Sequence, residues 1–467
     1  MSSDIIKEYC GVVGVYGSNI ASKLVFLGLY ALQHRGQESA GIASSNGKKI
    51  YYYKNHGLVK DVFNEQIISE LKGHIAIGHN RYSTTGSTTN FSNIQPIVIN
   101  YKKGQLAVVH NGNIPNAHKI RIEMEEEGHI FQSTSDSEVV LHLIAKSKKS
   151  TIEEMIIDAV KKLQGAFSII FMTEDKLIAV RDPRGYRPLA LGKLKSSYIV
   201  ASETCAFDIV GAEYIRDIEP GEMVVIDSSG VKSIKYSEEN TRKAYCVFEL
   251  IYFSRPDSII FGEYCDLIRR KLGAKLYEED PIDADIVIPV PDSANTIALG
   301  FSQRSGIPFE MGLLRNHYVG RTFIQPHQSL RDFKVLLKFN PIKHVIEGKR
   351  VVLIDDSIVR GTTIKKLAKI LRKAGAKEVH LRIGSPPIKY PCYFGMDFPS
   401  KEELIAHNMK IDEIEKFLEV DSLKYLSLEG LKEVVAEEKK QSYCFACFSG
   451  EYYEKVDLSV DKDIFEK

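Results

Sequence analysis

The segment from Val351 to Thr363, VVLIDDSIVRGTT, carries side chains that could bind a phosphorylated sugar. Its apolar residues predict a buried parallel strand, and the residues from Thr362 onward predict a helix. Free backbone N–H groups and the helix dipole at such a helix start attract an anion. The polar loop between strand and helix therefore predicts a phosphate site, which would be formed by Ser357, Arg360, Gly361, Thr362 and Thr363.

Two adjacent acids, Asp355 and Asp356, stand between the strand and this loop. Their charges would repel a phosphate, so we expect them to bind a neighbouring sugar diol or a hydrated cation. A phosphorylated ribose with Mg²⁺ matches both the acids and the loop. The simpler alternative is a strand followed by a capped helix, which leaves the doubled acid beside Arg-Gly-Thr-Thr without a purpose.

Cys10 could become an N-terminal nucleophile, because only nine residues precede it and a strand-like run, GVVGVYG, follows. If those nine residues are removed, Cys10 gains a free α-amino group with an ordinary pKa of about 7.7 to 8. That amine could act as the base for the thiol of the same residue. The alternative is that Cys10 is a small core residue at the start of a strand.

Four polar motifs in the first half could build a pocket around this thiol: QHRGQES, GHNRYSTTG, HNGNI and STSDSEV. Arg81 offers donors for a carboxylate, and Asp136 offers an acceptor for an ammonium group. The Asn111 side chain and the Gly112 N–H could form an oxyanion hole. A zwitterionic amino acid with an amide side chain would fit these groups.

The elements that must position these residues differ between the two halves of the chain. The first half combines many short strand patterns with helical patterns over residues 22–33, 116–127, 136–147 and 152–163. This predicts sheets packed with helices and no βαβ repeat. After a polar stretch at 237–243, strands and helices alternate, which predicts a doubly wound parallel sheet with ligands at the carboxyl ends of its strands. Residues 316–339 predict a long loop that could close over a charged ligand.

Seven cysteines in a long chain of this composition favour metal or catalytic use over disulfides. Cys444 and Cys447 form a CxxC pair that could bind one metal centre, and Cys246 and Cys392 are candidates for two further ligands. A Cys₄ zinc site and unconnected core thiols are the alternatives. We expect the remaining two, Cys205 and Cys265, to be buried thiols.

The balance of charge argues against a general nucleic-acid or membrane surface, since 62 Lys and Arg face 61 Asp and Glu, for a net charge of +1. The sequence has no apolar run near the roughly 18 residues of a membrane span and no secretory signal pattern. We therefore expect a cytoplasmic protein with small-molecule substrates and with neither nucleic-acid nor membrane partners.

Together with RDPRGYRPL at 181–189 and ELIYFSRPDS at 249–258, these motifs resemble glutamine phosphoribosylpyrophosphate amidotransferases over nearly the whole chain. The resemblance implies an α+β N-terminal-nucleophile glutaminase domain, a four-layer αββα sandwich, followed by an α/β type I phosphoribosyltransferase domain with a parallel sheet. It also implies a propeptide at 1–9, a glutaminase domain at 10–240, and a phosphoribosyltransferase domain at 241–467 that includes a C-terminal cluster-binding segment.

The family resemblance implies that Cys10 attacks the amide of glutamine and that the released ammonia passes internally to phosphoribosylpyrophosphate (PRPP). The ammonia displaces pyrophosphate to give phosphoribosylamine, which opens the synthesis of purines (IMP). Carried over to this sequence, the glutamine site comprises Arg35, Gly36, Arg81, Thr84 and Asp136, with Asn111 and Gly112 as the oxyanion hole.

In the second site, the resemblance gives Asp355 and Asp356 to the ribose hydroxyls and to Mg²⁺, with Ser293 as a further position beside the metal. The loop at 316–331 would fold over the pyrophosphate. Tyr82 and Tyr252 could be channel or gating residues, or aromatic core residues. We expect His79 and His110 to be structural, and Arg187 and Arg255 to be ion-paired core arginines.

One branch of the family carries a short propeptide and a [4Fe–4S] cluster on four cysteines, here Cys246, Cys392, Cys444 and Cys447. Family resemblance further implies feedback by purine nucleotides and a homo-oligomer, either dimer or tetramer. Two other functions are alternatives: a glutaminase coupled to another acceptor, such as a sugar phosphate, which the motif at 355–363 disfavours, and a regulatory ligand sensor without catalysis. The intact set of Cys10 and its pocket residues argues against the sensor.

Overall fold

The computed structural model describes residues 10–82, 90–238, 241–316, 338–396, 398, 400–435 and 442–454. Its first half is built on two antiparallel sheets. In spatial order, the strands of the first sheet are Glu213–Asp217, Ala190–Leu194, Ser197–Ala201, Gly11–Tyr16, Ile75–Arg81, Ser39–Ser45 and Ile50–His56. Those of the second sheet are Gly230–Lys235, Glu222–Asp227, Leu177–Arg181, Ala166–Met172, Gly104–Asn113 and Ile97–Tyr101.

The two sheets face each other across one apolar layer, to which Val12 and Ile77 of the first sheet and Val109 and Ile170 of the second contribute. Helices cover the outer faces. Those on the first sheet are Ala21–Ala31, Val59–Val62, Glu65–Glu70 and Cys205–Val210. Those on the second are Ala117–Glu126, Asp136–Lys146 and Ile152–Val160. The result is the predicted four-layer αββα sandwich, because each sheet buries one face against the other sheet and one against helices.

The second half contains a four-stranded parallel sheet, in the order Ile286–Pro289, Arg350–Asp355, Glu378–Ile383 and Ser422–Tyr425. The first three strands are mostly buried, as expected when helices cover both faces, whereas the edge strand Ser422–Tyr425 is partly exposed. The helices of this half are Cys265–Glu279, Asn295–Ser305, Lys343–Ile346, Thr362–Lys373, Ile405–Asn408, Ile411–Leu418, Leu428–Val434 and Ala446–Ser449. The prediction of an α/β domain with a parallel sheet is confirmed.

Three pairs of short strands complete the described fold: Tyr245–Cys246 with Tyr443–Cys444, Ile259–Ile260 with Glu263–Tyr264, and Leu313–Arg315 with Phe339–Pro341. A π-helical turn at Glu249–Phe253 lies where the two halves meet. It packs against the helix Cys265–Glu279, where the buried Arg269 donates to the carbonyl oxygens of Leu250 (2.9 Å) and Ser254 (2.6 Å). Within the described ranges, the helices include none that is long and apolar enough to cross a membrane.

Candidate active sites

Cys10 lies directly before the central strand Gly11–Tyr16 and is buried. Its thiol donates to the carbonyl oxygen of Tyr82 at 3.4 Å, and its own carbonyl oxygen accepts a hydrogen bond from Nε of Arg35 at 3.3 Å. Burial raises the pKa of the Cys10 thiol to about 11. At pH 7 only about one thiol in ten thousand would then be ionised. While Cys10 is joined to the residues before it, its nitrogen is an amide, so the thiol has no base of its own.

Asn111 and Gly112 lie near the end of the strand Gly104–Asn113. Asn111 is fully buried, and neither its side-chain nitrogen nor its side-chain oxygen has a hydrogen-bond partner among the described residues. An unpaired buried amide is costly, so this side chain is suited to a hydrogen bond with a bound group or a water molecule. Gly112 has a φ of 150°, and a Cβ there would lie 2.0 Å from the carbonyl oxygen of Ala166. Only glycine allows this close approach of the two strands.

Asp136 is a buried acid at the start of the helix Asp136–Lys146. Its Oδ2 accepts from the Ile114 N–H at 3.1 Å, and Ser137 donates to its Oδ1 at 3.2 Å. Burial alone would raise the pKa of Asp136, but His110 and these hydrogen bonds together lower it. Asp136 is therefore an ionised group, as an acceptor for an ammonium must be.

Arg81 ends the strand Ile75–Arg81 and is also buried. The charges of Arg81, Glu38 and Asp136 all act on the Cys10 thiol, so the structure brings the predicted residues Arg81 and Asp136 into one pocket with Cys10, together with Glu38, which was not predicted. Thr84, the other residue predicted to bind glutamine, lies outside the described residues.

Arg35 is fully buried and its guanidinium pairs with two carboxylates, those of Glu203 and of Glu249. The neighbouring Gly36 packs against the backbone of Asn80 and Arg81. Arg35 contacts the backbone of Cys10, and its role in shaping the pocket stays a prediction. Its direct contact with glutamine stays a prediction.

His79 and His110 are hydrogen-bonded within the fold, as predicted. The ring of His79 lies 3.0 Å from the carbonyl oxygen of His110, and burial lowers the pKa of His79 to about 3. The Nδ1 of His110 lies 3.0 Å from the hydroxyl of Ser137. His79 is thus neutral at physiological pH and cannot act as a cationic catalyst.

A second site is a cavity of about 170 Å³ at the carboxyl ends of the parallel strands, where ligands bind in such sheets. Predicted residues that line it are Ser293, Asp355, Asp356, Ser357, Arg360, Gly361 and Thr363. Thr362 begins the adjoining helix. The lining also includes Asp292, Arg315, Lys338 and Tyr252, of which the first three were not predicted as site residues.

Asp355 and Asp356 are buried side by side in this cavity, and the Asp356 N–H donates to Asp355 Oδ1 at 2.9 Å. Burial and the neighbouring charge of Asp356 raise the pKa of Asp355 well above its usual value. For Asp356, burial outweighs hydrogen bonds from Ser293 and Ser357 and again raises the pKa. Two adjacent buried acids of this kind fit a divalent cation, whose charge would favour their ionised forms.

The loop after these acids leads into the helix Thr362–Lys373 through Gly361, which has a φ of 78°. No side chain in the described part of the chain caps this helix start. A helix start of this kind is favourable for an anion in the cavity. Arg360 pairs with Glu403 at 3.0 Å. The loop at 316–331 lies almost wholly outside the described residues, which include only Asn316 of it.

The four predicted cluster cysteines come together in the fold. Cys246 and Cys444 stand opposite each other on two paired parallel strands. The carbonyl oxygen of Cys447 accepts from the N–H groups of Lys389 (3.0 Å) and Tyr390 (3.1 Å), which brings the segment of Cys392 to the CxxC pair. Burial raises the pKa of all four thiols, and the pKa values of Cys392, Cys444 and Cys447 are raised further by neighbouring cysteines.

The four thiols are donors of the kind that hold an iron–sulfur cluster or a zinc ion. Across the residues that the structure describes, no group of three or more His, Cys, Asp or Glu is arranged to hold one metal ion. A [4Fe–4S] cluster takes one thiolate on each of four iron atoms, so its ligands surround a volume and do not converge on a point. Cys205 and Cys265 are buried thiols elsewhere, as predicted.

Two predicted core arginines have different positions. Arg187 is buried and pairs with Glu249 at 3.0 Å, which confirms the prediction. For Arg255 the prediction of a core position is wrong, because its side chain is 42% exposed and pairs with Asp257 at the surface. The acids Glu203 and Glu249 were not singled out from the sequence. Glu249 does lie within the motif ELIYFSRPDS, but the motif does not reveal its partners.

A model described as a glutamine amidotransferase domain matches residues 79–208, and one described as a phosphoribosyl transferase domain matches residues 265–383. Amidophosphoribosyltransferase 2, chloroplastic, from Arabidopsis thaliana is 52% identical over 448 residues, which are 96% of this chain and 79% of the relative. The chain belongs to the amidophosphoribosyltransferase family.

Other amidophosphoribosyltransferases match along their whole length. The protein of Methanocaldococcus jannaschii is 48% identical over 96% of this chain and 98% of its own. The solved glutamine PRPP amidotransferase of Bacillus subtilis, complexed with ADP and GMP, is 44% identical with a TM-score of 0.92, over 97% of this chain and 99% of that chain. The predicted enzyme class is confirmed: a transferase that joins a glutamine amidotransferase domain to a phosphoribosyltransferase domain.

Proposed function

We propose that this amidophosphoribosyltransferase hydrolyses glutamine at Cys10 and delivers the ammonia to PRPP bound at residues 355–363, the first step of purine biosynthesis. The observation that carries the proposal is the unpartnered amide of the buried Asn111 in the half of the chain that holds Cys10, Arg81 and Asp136. A donor without a partner is what an oxyanion formed on the glutamine amide would require.

In the first reaction, the α-amino group of the freed Cys10 takes the thiol proton, and the sulfur attacks the amide carbon of glutamine. Asn111 and Gly112 stabilise the oxyanion of the tetrahedral intermediate. The intermediate collapses, the amide nitrogen takes the proton and leaves as ammonia, and a thioester remains on Cys10. Water then cleaves the thioester, which gives glutamate and restores the thiol. Arg81 and Asp136 hold the carboxylate and the ammonium of the substrate, with Thr84, Arg35 and Gly36 completing the pocket.

In the second reaction, ammonia attacks C1 of PRPP, the bond from C1 to the pyrophosphate oxygen breaks, and the nitrogen loses a proton to give phosphoribosylamine. The 5′-phosphate lies against residues 357–363, where the helix start offers N–H donors. Asp355, Asp356 and Ser293 are the residues that would hold Mg²⁺. When bound there, the ion neutralises the charge of the pyrophosphate. Asp355 and Asp356 also orient the ribose hydroxyls.

A balance of products tests this function. Purified, processed enzyme supplied with glutamine, PRPP and Mg²⁺ should release glutamate and pyrophosphate in a ratio of one to one. Omission of PRPP should abolish pyrophosphate release. Glutamate formed without any pyrophosphate, under conditions where PRPP is present, would favour the alternative of another acceptor.

The domain limits belong to the same proposal: a propeptide at 1–9, a glutaminase domain at 10–240 and a phosphoribosyltransferase domain at 241–467. The raised pKa of the Cys10 thiol supports the need for a free amine, since the thiol is protonated at neutral pH without one. Intact mass measurement of the active enzyme should report a chain that begins at Cys10. Full activity of a chain that still carries residues 1–9 would contradict this mechanism.

We also propose that Cys246, Cys392, Cys444 and Cys447 bind a [4Fe–4S] cluster, which would tie the C-terminal segment to the start of the second domain. The convergence of these four cysteines supports it. When bound, such a cluster stabilises the fold through four iron–sulfur bonds. Anaerobically purified protein should contain four iron and four sulfide per chain, and zinc in place of iron would refute the assignment.

Purine nucleotides are proposed as feedback inhibitors, supported by the Bacillus subtilis relative that was solved with ADP and GMP. Inhibition assays with purine mono- and diphosphates test this. A homo-oligomer, dimer or tetramer, is proposed as well, and light scattering on the purified enzyme measures it. A cytoplasmic location stays a prediction.

A further inference from the structure

Cys10 is held at two points, and one of them depends on Arg35. Its thiol donates to Tyr82, while its carbonyl oxygen accepts from Arg35 Nε at 3.3 Å. Cys10 lies directly before the strand Gly11–Tyr16, so its own backbone is not part of the strand pairing in the described structure. The hydrogen bond from Arg35 therefore fixes the orientation of the residue that attacks the substrate.

Arg35 is itself positioned by a residue of the other half of the chain. Two oxygens of Glu249 accept from its guanidinium, at 2.8 Å from Nη2 and 3.1 Å from Nη1. The ring of Phe253, one turn later, lies 4.4 Å from the guanidinium carbon. Glu203 of the first half accepts from Nη1 as well. Bidentate carboxylate pairing and ring stacking fix a guanidinium in both position and plane.

Glu249 is itself locked in place. It is fully buried, accepts from the hydroxyl of Ser254 at 2.7 Å, and pairs with Arg187 at 3.0 Å. Glu249 lies between two buried arginines, so removal of its negative charge would leave both with less compensating charge. The guanidinium of Arg35 would then shift toward Glu203, its remaining partner, and away from the Cys10 carbonyl.

We propose that Glu249 is a positioning residue for the glutaminase reaction: from the phosphoribosyltransferase half, it holds Arg35, and through Arg35 it orients Cys10. This inference rests on the proposed function of Cys10. It assigns Glu249 no contact with glutamine or with PRPP. Its loss should therefore slow the attack on glutamine more than it weakens the binding of glutamine.

The test compares Glu249→Gln with a matched control, Glu222→Gln. Glu222 of the second sheet is also a buried acid, 4% exposed at its side chain, and pairs with Arg216 of the first sheet at 2.7 Å. Its hydrogen-bond partners are Arg216, Glu219 and Ser233, and they include neither Cys10 nor Arg35. Each enzyme is assayed with glutamine and with free ammonia as the nitrogen source. For E249Q, we expect the glutamine-dependent kcat to fall by about 10- to 100-fold, as for a misplaced reacting group, with KM for glutamine within about threefold of wild type.

In the same assays, ammonia-dependent activity of E249Q should stay within about twofold of wild type, and E222Q should match wild type in both. Alkylation of Cys10 by iodoacetamide should slow in E249Q, and Glu249→Asp should restore part of the kcat. The proposal is overturned if E249Q keeps its glutamine-dependent kcat, if both activities fall in equal proportion, or if E222Q loses as much.

Should E249Q fail to fold, Arg35→Lys tests the same link, because it keeps a positive charge between the carboxylates but has no Nε to donate to the Cys10 carbonyl. An unchanged glutamine-dependent kcat in R35K would overturn the proposal. Wild type and Cys10→Ala are run alongside. If the function proposed for Cys10 is wrong, C10A keeps glutamine-dependent activity; if only the role of Glu249 is wrong, C10A loses it and E249Q does not.

Discussion

Gly361 offers a sharp test of the phosphate site, because it starts the helix Thr362–Lys373 in the left-handed conformation, with a φ of 78°. A Cβ at this position would lie 3.0 Å from Ile405 Cδ1 and 3.2 Å from Leu418 Cδ2. The left-handed conformation costs a residue with a Cβ about 1–2 kcal/mol. The variant Gly361→Ala therefore carries both this strain and a tight contact with the neighbouring helices.

The strain in G361A is relieved if the backbone rotates, which moves the loop and the first N–H groups of the helix away from the phosphate. Loss of one hydrogen bond to a charged group costs about 1.5–3 kcal/mol. That corresponds to an increase of about 10- to 150-fold in the dissociation constant for PRPP. The assay is ammonia-dependent activity as a function of PRPP concentration, since it bypasses the glutamine site.

Gly306→Ala is the matched control. Gly306 ends the helix Asn295–Ser305 with a φ of 76°, and a Cβ there would meet no described atom within 4 Å. G306A should lose about as much folding stability as G361A, measured by thermal unfolding, while its KM for PRPP stays unchanged. The reasoning is refuted if G361A binds PRPP as tightly as wild type does, or if G306A weakens the binding of PRPP as much as G361A does.

Further predictions concern the glutamine pocket, its pH dependence and the cysteines. A Cβ at Gly112 would lie 2.0 Å from the Ala166 carbonyl oxygen. The variant G112A should therefore lose glutamine-dependent activity and keep ammonia-dependent activity. The control Gly128→Ala, at an exposed position, should change neither activity. Burial lowers the pKa of His79 to about 3, so between about pH 6.5 and pH 3 this histidine takes up a proton only in the unfolded chain. Urea unfolding should therefore give a free energy of unfolding about 1.4 kcal/mol lower at pH 5.5 than at pH 7.5. An equal pH dependence in H79Q would contradict this. Cys444→Ser should abolish bound iron and its visible absorption, while Cys205→Ser retains both; iron retained in C444S would exclude Cys444 as a ligand.

Much of the fold could be predicted because its main elements have strong local patterns. The apolar run before Asp355 predicts a buried strand, and the structure has the strand Arg350–Asp355 there. The helix after it begins at Thr362, as the sequence indicates. Several short strands were not foreseen, among them Ile97–Tyr101 and Ser422–Tyr425. Their tertiary partners determine their conformation more than their own residues do.

The sites were predictable to the extent that each function is concentrated in one segment. Asp355, Asp356 and the loop after them are contiguous, so one motif was enough to recognise a phosphorylated sugar. The pairing of Arg35 with Glu249 joins residues 214 positions apart, and no local pattern indicates that these two charges meet. Arg187 is a core residue and Arg255 is not, because only Arg187 is buried. A single sequence does not reveal which of two arginines will be buried.

The most direct test of the central claim is the nitrogen source used by Cys10→Ala. The account assigns ammonia production to Cys10 and its transfer to PRPP to a separate site around Asp355. C10A should therefore lose glutamine-dependent formation of phosphoribosylamine and keep the ammonia-dependent reaction at the rate of wild type. Retained glutamine-dependent activity in C10A would contradict the account, as would loss of the ammonia-dependent reaction in a folded enzyme.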